Sequence, residues 1–315
     1  MQQLANGCMV TVGTCALIET MLARWLALPA NLRGIVWLSI GTLLLALTDA
    51  VTKELGQRIH PFELSFFRYV VAMLVLAPVF LRMSVLQLRT SRPGLHMIRL
   101  LLATIGQTGR FIAVVNLKLA DATALGFSKP LFTTVIAIFI LSEVVSARRW
   151  AMTLCGFVGV VIMLRPGGGV IDPYALVAIG AALCMAIANV LIRVMAPTEP
   201  PNRILFYYHI GGVVLLAAPA AWFWQTPVGL DWGLILLMGT GLTLGMVCFV
   251  RGFSIAQANA IGPSEYARLI YAGLIGYFFF GEIIDNWTVV GGLIIVASTL
   301  LIARDEARKA IESRA

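Results

Sequence analysis

The stretch LADATALGFSKPLFTTVIAIFILSE, residues 119–143, decides the fold when it is set beside ANAIGPSEYARLIYAGLIGYFFFGE, residues 258–282. Each is a predominantly apolar run long enough to cross a hydrocarbon core of about 30 Å as a helix, which takes roughly 20 residues. Each carries one basic residue in its interior, Lys129 or Arg268, with an aromatic residue two places before it, Phe127 or Tyr266. Each closes on a glutamate, Glu143 or Glu282. Self-similarity at a fixed offset is the mark of a repeat, and the echo continues outward at an offset of 138 to 141 residues. Asp49 and Lys53 answer to Asn189 and Arg193, Arg68 and Pro78 to His209 and Pro219, and Ala122 to Ala260.

Working outward, hydropathy predicts ten spans, at 34–54, 62–81, 97–117, 122–141, 150–164, 174–195, 204–224, 232–250, 260–280 and 287–303. Five fall in each copy. An odd number of spans per copy forces the two copies to enter the bilayer in opposite directions, the inverted-repeat architecture of many secondary transporters, whose substrate sites lie where the halves meet. The fold class is therefore an all-α membrane protein of ten transmembrane helices in two inverted five-helix repeats. Residues 34–165 form the first repeat and 172–304 the second. Residues 1–33 are a cytoplasmic or interfacial segment, with Met21 as an alternative natural start, and 305–315 a cytoplasmic tail.

Composition agrees: 60% of the 315 residues are hydrophobic and 12% charged, against roughly 45–50% and about 25% in soluble domains, and the mean hydropathy is +0.92. The net charge of +8 reads as topology rather than as a nucleic-acid footprint. With alternate loops assigned to alternate sides, 14 of the 23 Lys and Arg fall on one side and 4 on the other. By the positive-inside rule both termini are expected in the cytoplasm, at the cell's inner membrane.

The same segments resemble the drug/metabolite transporter superfamily and its EamA-type ten-helix members. The resemblance runs over residues 34–304, through FFRYVVAMLVLAPVFLR after Pro61, the two quoted stretches, RRWAMTLCGFVGVVIMLRPG and WTVVGGLIIVASTLLIAR. It implies a central cavity between two inverted halves and the uptake or efflux of small organic molecules by alternating access. Amino acids, amines, sugars, nucleotide-like compounds and vitamins are all within its range.

Ionisable residues deep in a span are costly and normally face a cavity or a partner. Lys129 and Arg268 each lie about 12 Å into their spans at 1.5 Å per residue, and are expected to clamp an anionic or zwitterionic substrate. Phe127 and Tyr266 would stack on a planar ring such as a flavin or an aromatic amino acid. Two blander readings stand beside these: Glu265 pairs with Arg268 one turn away, and Asp49 is neutralised by Lys53. Asp49 and Glu265 are also the candidates for coupling to protons. Arg110 and Gln107, with Thr108 and Asn116, make the third span polar enough to line water, although Arg110 and Arg68 could instead snorkel to the surface. Gly241 and Gly245, Gly156 and Gly159, and Gly291 and Gly292 read as close helix contacts.

The five cysteines have no metal or disulfide spacing, and His60, His96 and His209 are scattered. The glycines at 167–169 lack the Lys-Ser/Thr of a phosphate loop. No cofactor, metal, nucleic acid or enzymatic activity is expected; the oligomeric state is open. The competing readings are a membrane-embedded enzyme and a non-transporting scaffold.

Overall fold

The computed structural model describes residues 28–141, 146–164, 172–256 and 262–312. Expectations that concern residues 1–27, Glu143, the 165–169 turn and the last three residues lie outside the described residues. The described residues fold as helices α1 (Ala30–Leu55), α2 (Pro61–Phe80), α3 (Val85–Leu88), α4 (Pro93–Asn116), α5 (Leu119–Gly126), α6 (Lys129–Leu141), α7 (Ala147–Leu164), α8 (Pro173–Met195), α9 (Pro201–Trp222), α10 (Asp231–Ile255), α11 (Ala267–Phe280) and α12 (Asn286–Glu312). A 3-10 turn, Gly262–Tyr266, leads into α11.

Ten spans result. Helices α1, α2, α4, α8, α9 and α10 cross singly, α5 and α6 share one crossing, and shorter apolar stretches of α7 and α12 supply two more. The tenth is the 3-10 turn with α11. Four spans start on proline, at Pro61, Pro93, Pro173 and Pro201. The first turn needs no proline N–H and takes its fixed φ without strain. The predicted tail is instead a continuation of α12 as far as Glu312.

Two predicted spans differ in kind. Residues 122–141 are not one helix: α5 stops at Gly126 and α6 starts at Lys129, with Pro130 unable to donate back to Gly126. In the second copy Pro263 sits in the 3-10 turn, and α11 begins just before Arg268. Both chemistry-bearing cations therefore stand at the beginning of a helix in mid-span. Interrupted spans in matching positions of two halves are the arrangement expected around a carrier's binding site.

Packing carries the inverted symmetry. Helix α1 packs on α10 and its counterpart α8 packs on α4; α6 packs on α8 and its counterpart α11 packs on α1. Helices α2 and α9 pack on one another, as do α7 and α12. Phe127 and Tyr266, equivalent residues, touch with ring centroids 5.0 Å apart. A residue meets its own symmetry mate only beside the axis, so the two-fold passes between them.

Small residues set the closest approaches, as expected for helices that meet without help from the hydrophobic effect. A Cβ on Gly159 of α7 would lie 2.7 Å from the Gly291 carbonyl of α12, and one on Gly291 2.6 Å from the Gly159 carbonyl. Neither backbone can yield. Gly159→Leu should lower the apparent Tm of detergent-solubilised protein, at a cost of about 1–3 kcal/mol for overpacking. Gly180→Ala, with open space around it, should leave Tm unchanged or raise it slightly.

Candidate functional site

Asp49 stands six residues short of the end of α1 at Leu55, and Arg110 six residues short of the end of α4 at Asn116, both about 9 Å below that end of the bundle. Asp49 is only 1% exposed. Its Oδ2 accepts from Nη2 of Arg110 at 2.6 Å and from Nη2 of Arg268 at 2.5 Å, and its Oδ1 accepts from Arg110 at 2.7 Å. One carboxylate thus answers two guanidiniums, and the cluster keeps a surplus positive charge. Lys129 lies within electrostatic reach of both arginines and of Glu265, and among the described residues it forms no ion pair.

Several sequence expectations are corrected by this geometry. Asp49 is not neutralised by Lys53 along α1 but by two arginines from other helices, because α4 and α11 both pack on α1 at this level. Arg268 reaches Asp49 rather than Glu265, since the 3-10 turn takes Glu265 off the α-helical face. Arg110 does not snorkel outward. Nor does Arg68, which donates to the Tyr208 hydroxyl at 3.0 Å inside the bundle. Phe127 and Tyr266 pack on each other with their rings tilted by 41°, and the Tyr266 hydroxyl donates to Thr299 at 2.6 Å. Gln107, one turn before Arg110, is buried with its Nε2 unpartnered.

The two halves are also tied together at both ends of the bundle. At the end near Asp49, Lys53 pairs with Glu282 at 2.6 Å and donates to the Leu117 carbonyl, while the Leu119 N–H donates to Glu282 at 2.7 Å. Lys118 adds a bond to the Ile283 carbonyl at 2.9 Å. At the opposite end Glu199, in the loop between α8 and α9, accepts from Thr90 at 2.7 Å and Arg203 at 2.9 Å, with His96 3.4 Å away. Burial alone would push the Glu199 carboxyl up, but the bonds from Thr90 and Arg203, with His96 close by, outweigh it and hold the group at about 2.

Sequence reasoning missed these ties. Lys53 read as the partner of Asp49, Arg203 was counted only among the basic residues of one side, and Glu199 went unread. The available signal was an acidic residue between Pro197 and Pro200 in a loop flanked by Arg193 and Arg203. A crevice of about 390 Å³ between α1, α10 and α11, walled by Leu47, Leu237 and Phe279, is mostly apolar, and none of Asp49, Arg110, Lys129 and Arg268 lines it.

A bundle of ten spans with inverted halves, interrupted helices at the axis and a surplus of charge beside them defines a membrane transporter of small molecules. The chain belongs to the EamA-like transporter family, which matches residues 32–165 and 172–304. It is 33% identical over 288 residues to an S-adenosylmethionine uptake transporter of Rickettsia prowazekii, covering 91% of this chain and 98% of that protein. It is 27% identical to a riboflavin transporter of Vibrio cholerae, over 90% of this chain and 97% of the other. A pseudopaline exporter, CntI, of Pseudomonas aeruginosa is 26% identical over 86% and 96% of the two chains. A crystal structure with 20% identity shares the fold at a TM-score of 0.58, covering 88% of this chain and 98% of that one. The protein is accordingly a multi-pass membrane transporter of a small metabolite, and not an enzyme.

Two outcomes check the geometry. Asp49→Asn leaves two half-buried guanidiniums without a counter-charge and should destabilise by up to about 3 kcal/mol; Asp49→Asn combined with Arg110→Gln should recover much of that loss, read as apparent Tm in detergent. For Glu199 the folded-state value lies below the ordinary 4.5, so its contribution is present above that pH and is lost as pH falls toward about 2. The Tm difference between wild type and Glu199→Gln should be largest near neutrality and close as the pH drops through that window.

Proposed function

We propose that the protein is a secondary carrier that moves a small zwitterionic metabolite across the inner membrane by alternating access, with both termini in the cytoplasm. Its cargo joins an amino-acid carboxylate to a planar ring, and S-adenosylmethionine, which adds a permanent sulfonium cation to its carboxylate and ammonium, is the leading example. The observation that carries this reading is the shared Asp49 carboxylate between Arg110 and Arg268. A buried ion cluster with one cation too many calls for a second anion, and Lys129 adds a further donor at the same level. A cargo carboxylate would take one arginine from Asp49, and the freed Asp49, with Glu265, would receive the cargo's cationic groups, the ammonium and, in S-adenosylmethionine, the sulfonium. The half-buried edge of Tyr266 offers an aromatic wall for the ring.

The names of the relatives support the cargo class: an S-adenosylmethionine carrier at 33% identity and a riboflavin carrier both handle ring-bearing metabolites. Topology rests on the excess of basic residues at the end that holds Glu199. Protons fit as the coupling ion, because a proton on Asp49 would release the arginines as cargo does. Alternating access would require the tie at Lys53 and Glu282 and the tie at Glu199 to open in turn.

Purified protein in liposomes should take up labelled S-adenosylmethionine saturably. Losing one charge-assisted hydrogen bond of about 1.5–3 kcal/mol corresponds to roughly a tenfold to hundredfold effect. Arg268→Gln and Lys129→Ala should therefore each lower the uptake rate by at least about tenfold, with a normal gel-filtration profile. Uptake that is unsaturable, or unchanged in both variants, would defeat the proposal.

A further inference from the structure

A second group of cations lies deeper in the bundle, away from Asp49. Arg68 on α2 and Arg99 on α4 are each only 7% exposed. Their guanidinium carbons lie 5.6 Å and 5.0 Å from the centroid of one ring, Tyr208 on α9, and Arg68 is also 4.6 Å from the centroid of Tyr69. The Tyr208 hydroxyl accepts one bond from Arg68. Among the described residues neither arginine has a carboxylate within salt-bridge distance, and the Nε atoms of both are buried without a hydrogen-bond partner. The nearby Glu199 is already engaged by Thr90, Arg203 and His96.

Stacking on tyrosine rings gives a guanidinium a polarisable face but does not neutralise it. Buried charges are otherwise paired. Two such groups around one ring, with donors unused, are built for an oxyanion presented edge-on, which a planar guanidinium holds through two parallel bonds. Helix α4 connects the two regions. Arg99, Gln107 and Arg110 share one face, and Arg99 and Arg110 are about 16 Å apart along the axis. Arg68 lies between the two and within electrostatic reach of Arg110.

We infer that Arg68 and Arg99, braced by Tyr69 and Tyr208, form a second anion-binding station that receives a carboxylate or phosphate group between the Asp49 cluster and the end of the bundle closed by Glu199. Its role as a stage in the cargo's path rests on the transport reading above; its capacity to bind an oxyanion does not.

The test uses thermal unfolding of the full chain in detergent, titrated with sodium phosphate against sodium chloride at matched ionic strength. Wild type should gain apparent Tm saturably in phosphate only. Arg99→Gln should weaken the response at least tenfold in concentration. Arg99→Lys keeps the charge but loses the planar fork, and should fall between the two even if the glutamine variant does not fold. No phosphate response in wild type, or one that Arg268→Gln abolishes and both Arg99 variants leave intact, overturns the inference. Failure of the transport reading shows separately, as absent S-adenosylmethionine uptake by wild type whose phosphate response is intact.

Discussion

Everything at the centre of this molecule follows from one carboxylate shared by two guanidiniums. In water such an arrangement would be unremarkable, but Asp49 is almost wholly buried, and in a low-dielectric interior each uncompensated charge is expensive. The cluster is held because Asp49 exists and is left short of charge because there is only one of it. A transporter needs a site stable enough to fold empty and unsatisfied enough to bind. On the proposed reading, an internal anion that answers part of the charge meets both demands.

The inverted repeat explains how such a cluster is assembled. Asp49 and Arg110 come from the first half and Arg268 from the second, so the site spans the halves rather than belonging to one. Helix α1 packs on both α10 and α11, and so brings Asp49 to the second half. Interruption of both axial spans at Pro130 and Pro263 gives each cation a place at a helix beginning, instead of on the side of a continuous rod. Ties at both ends, Lys53 to Glu282 and Thr90 to Glu199, connect the same two halves. On the alternating access proposed above, movement of one half against the other would change both ends and the centre together.

Much of this was legible in the sequence. Ten apolar runs, the 139-residue echo of Phe127-x-Lys129 in Tyr266-x-Arg268 and the closing glutamates are local patterns, and local patterns define spans and repeats. The partners were not legible. Asp49 has Lys53 one turn away and Arg268 has Glu265 three residues before it, so proximity along the chain suggested two local pairs. Which cation meets which carboxylate is set by helix rotation and crossing, which depend on close contacts such as Gly159 with Gly291. Arg99 looked like a topology anchor for a related reason. Its position near a helix end fits the interface as well as the interior, and only the packing of α9 on α2 and α4, which brings Tyr208 alongside, decides between them. Glu199 carried no apolar pattern at all, and a carboxylate in a proline-rich loop acquires its meaning from Thr90 and His96 far away in the chain.

The central claim is that cargo and Asp49 compete for the same guanidiniums, and a structure of the protein with S-adenosylmethionine bound tests it most directly. The account predicts the cargo carboxylate within hydrogen-bond distance of Arg268, with the Asp49–Arg268 pair, now 2.5 Å, opened. A bound cargo that leaves Asp49 in contact with both arginines would contradict it.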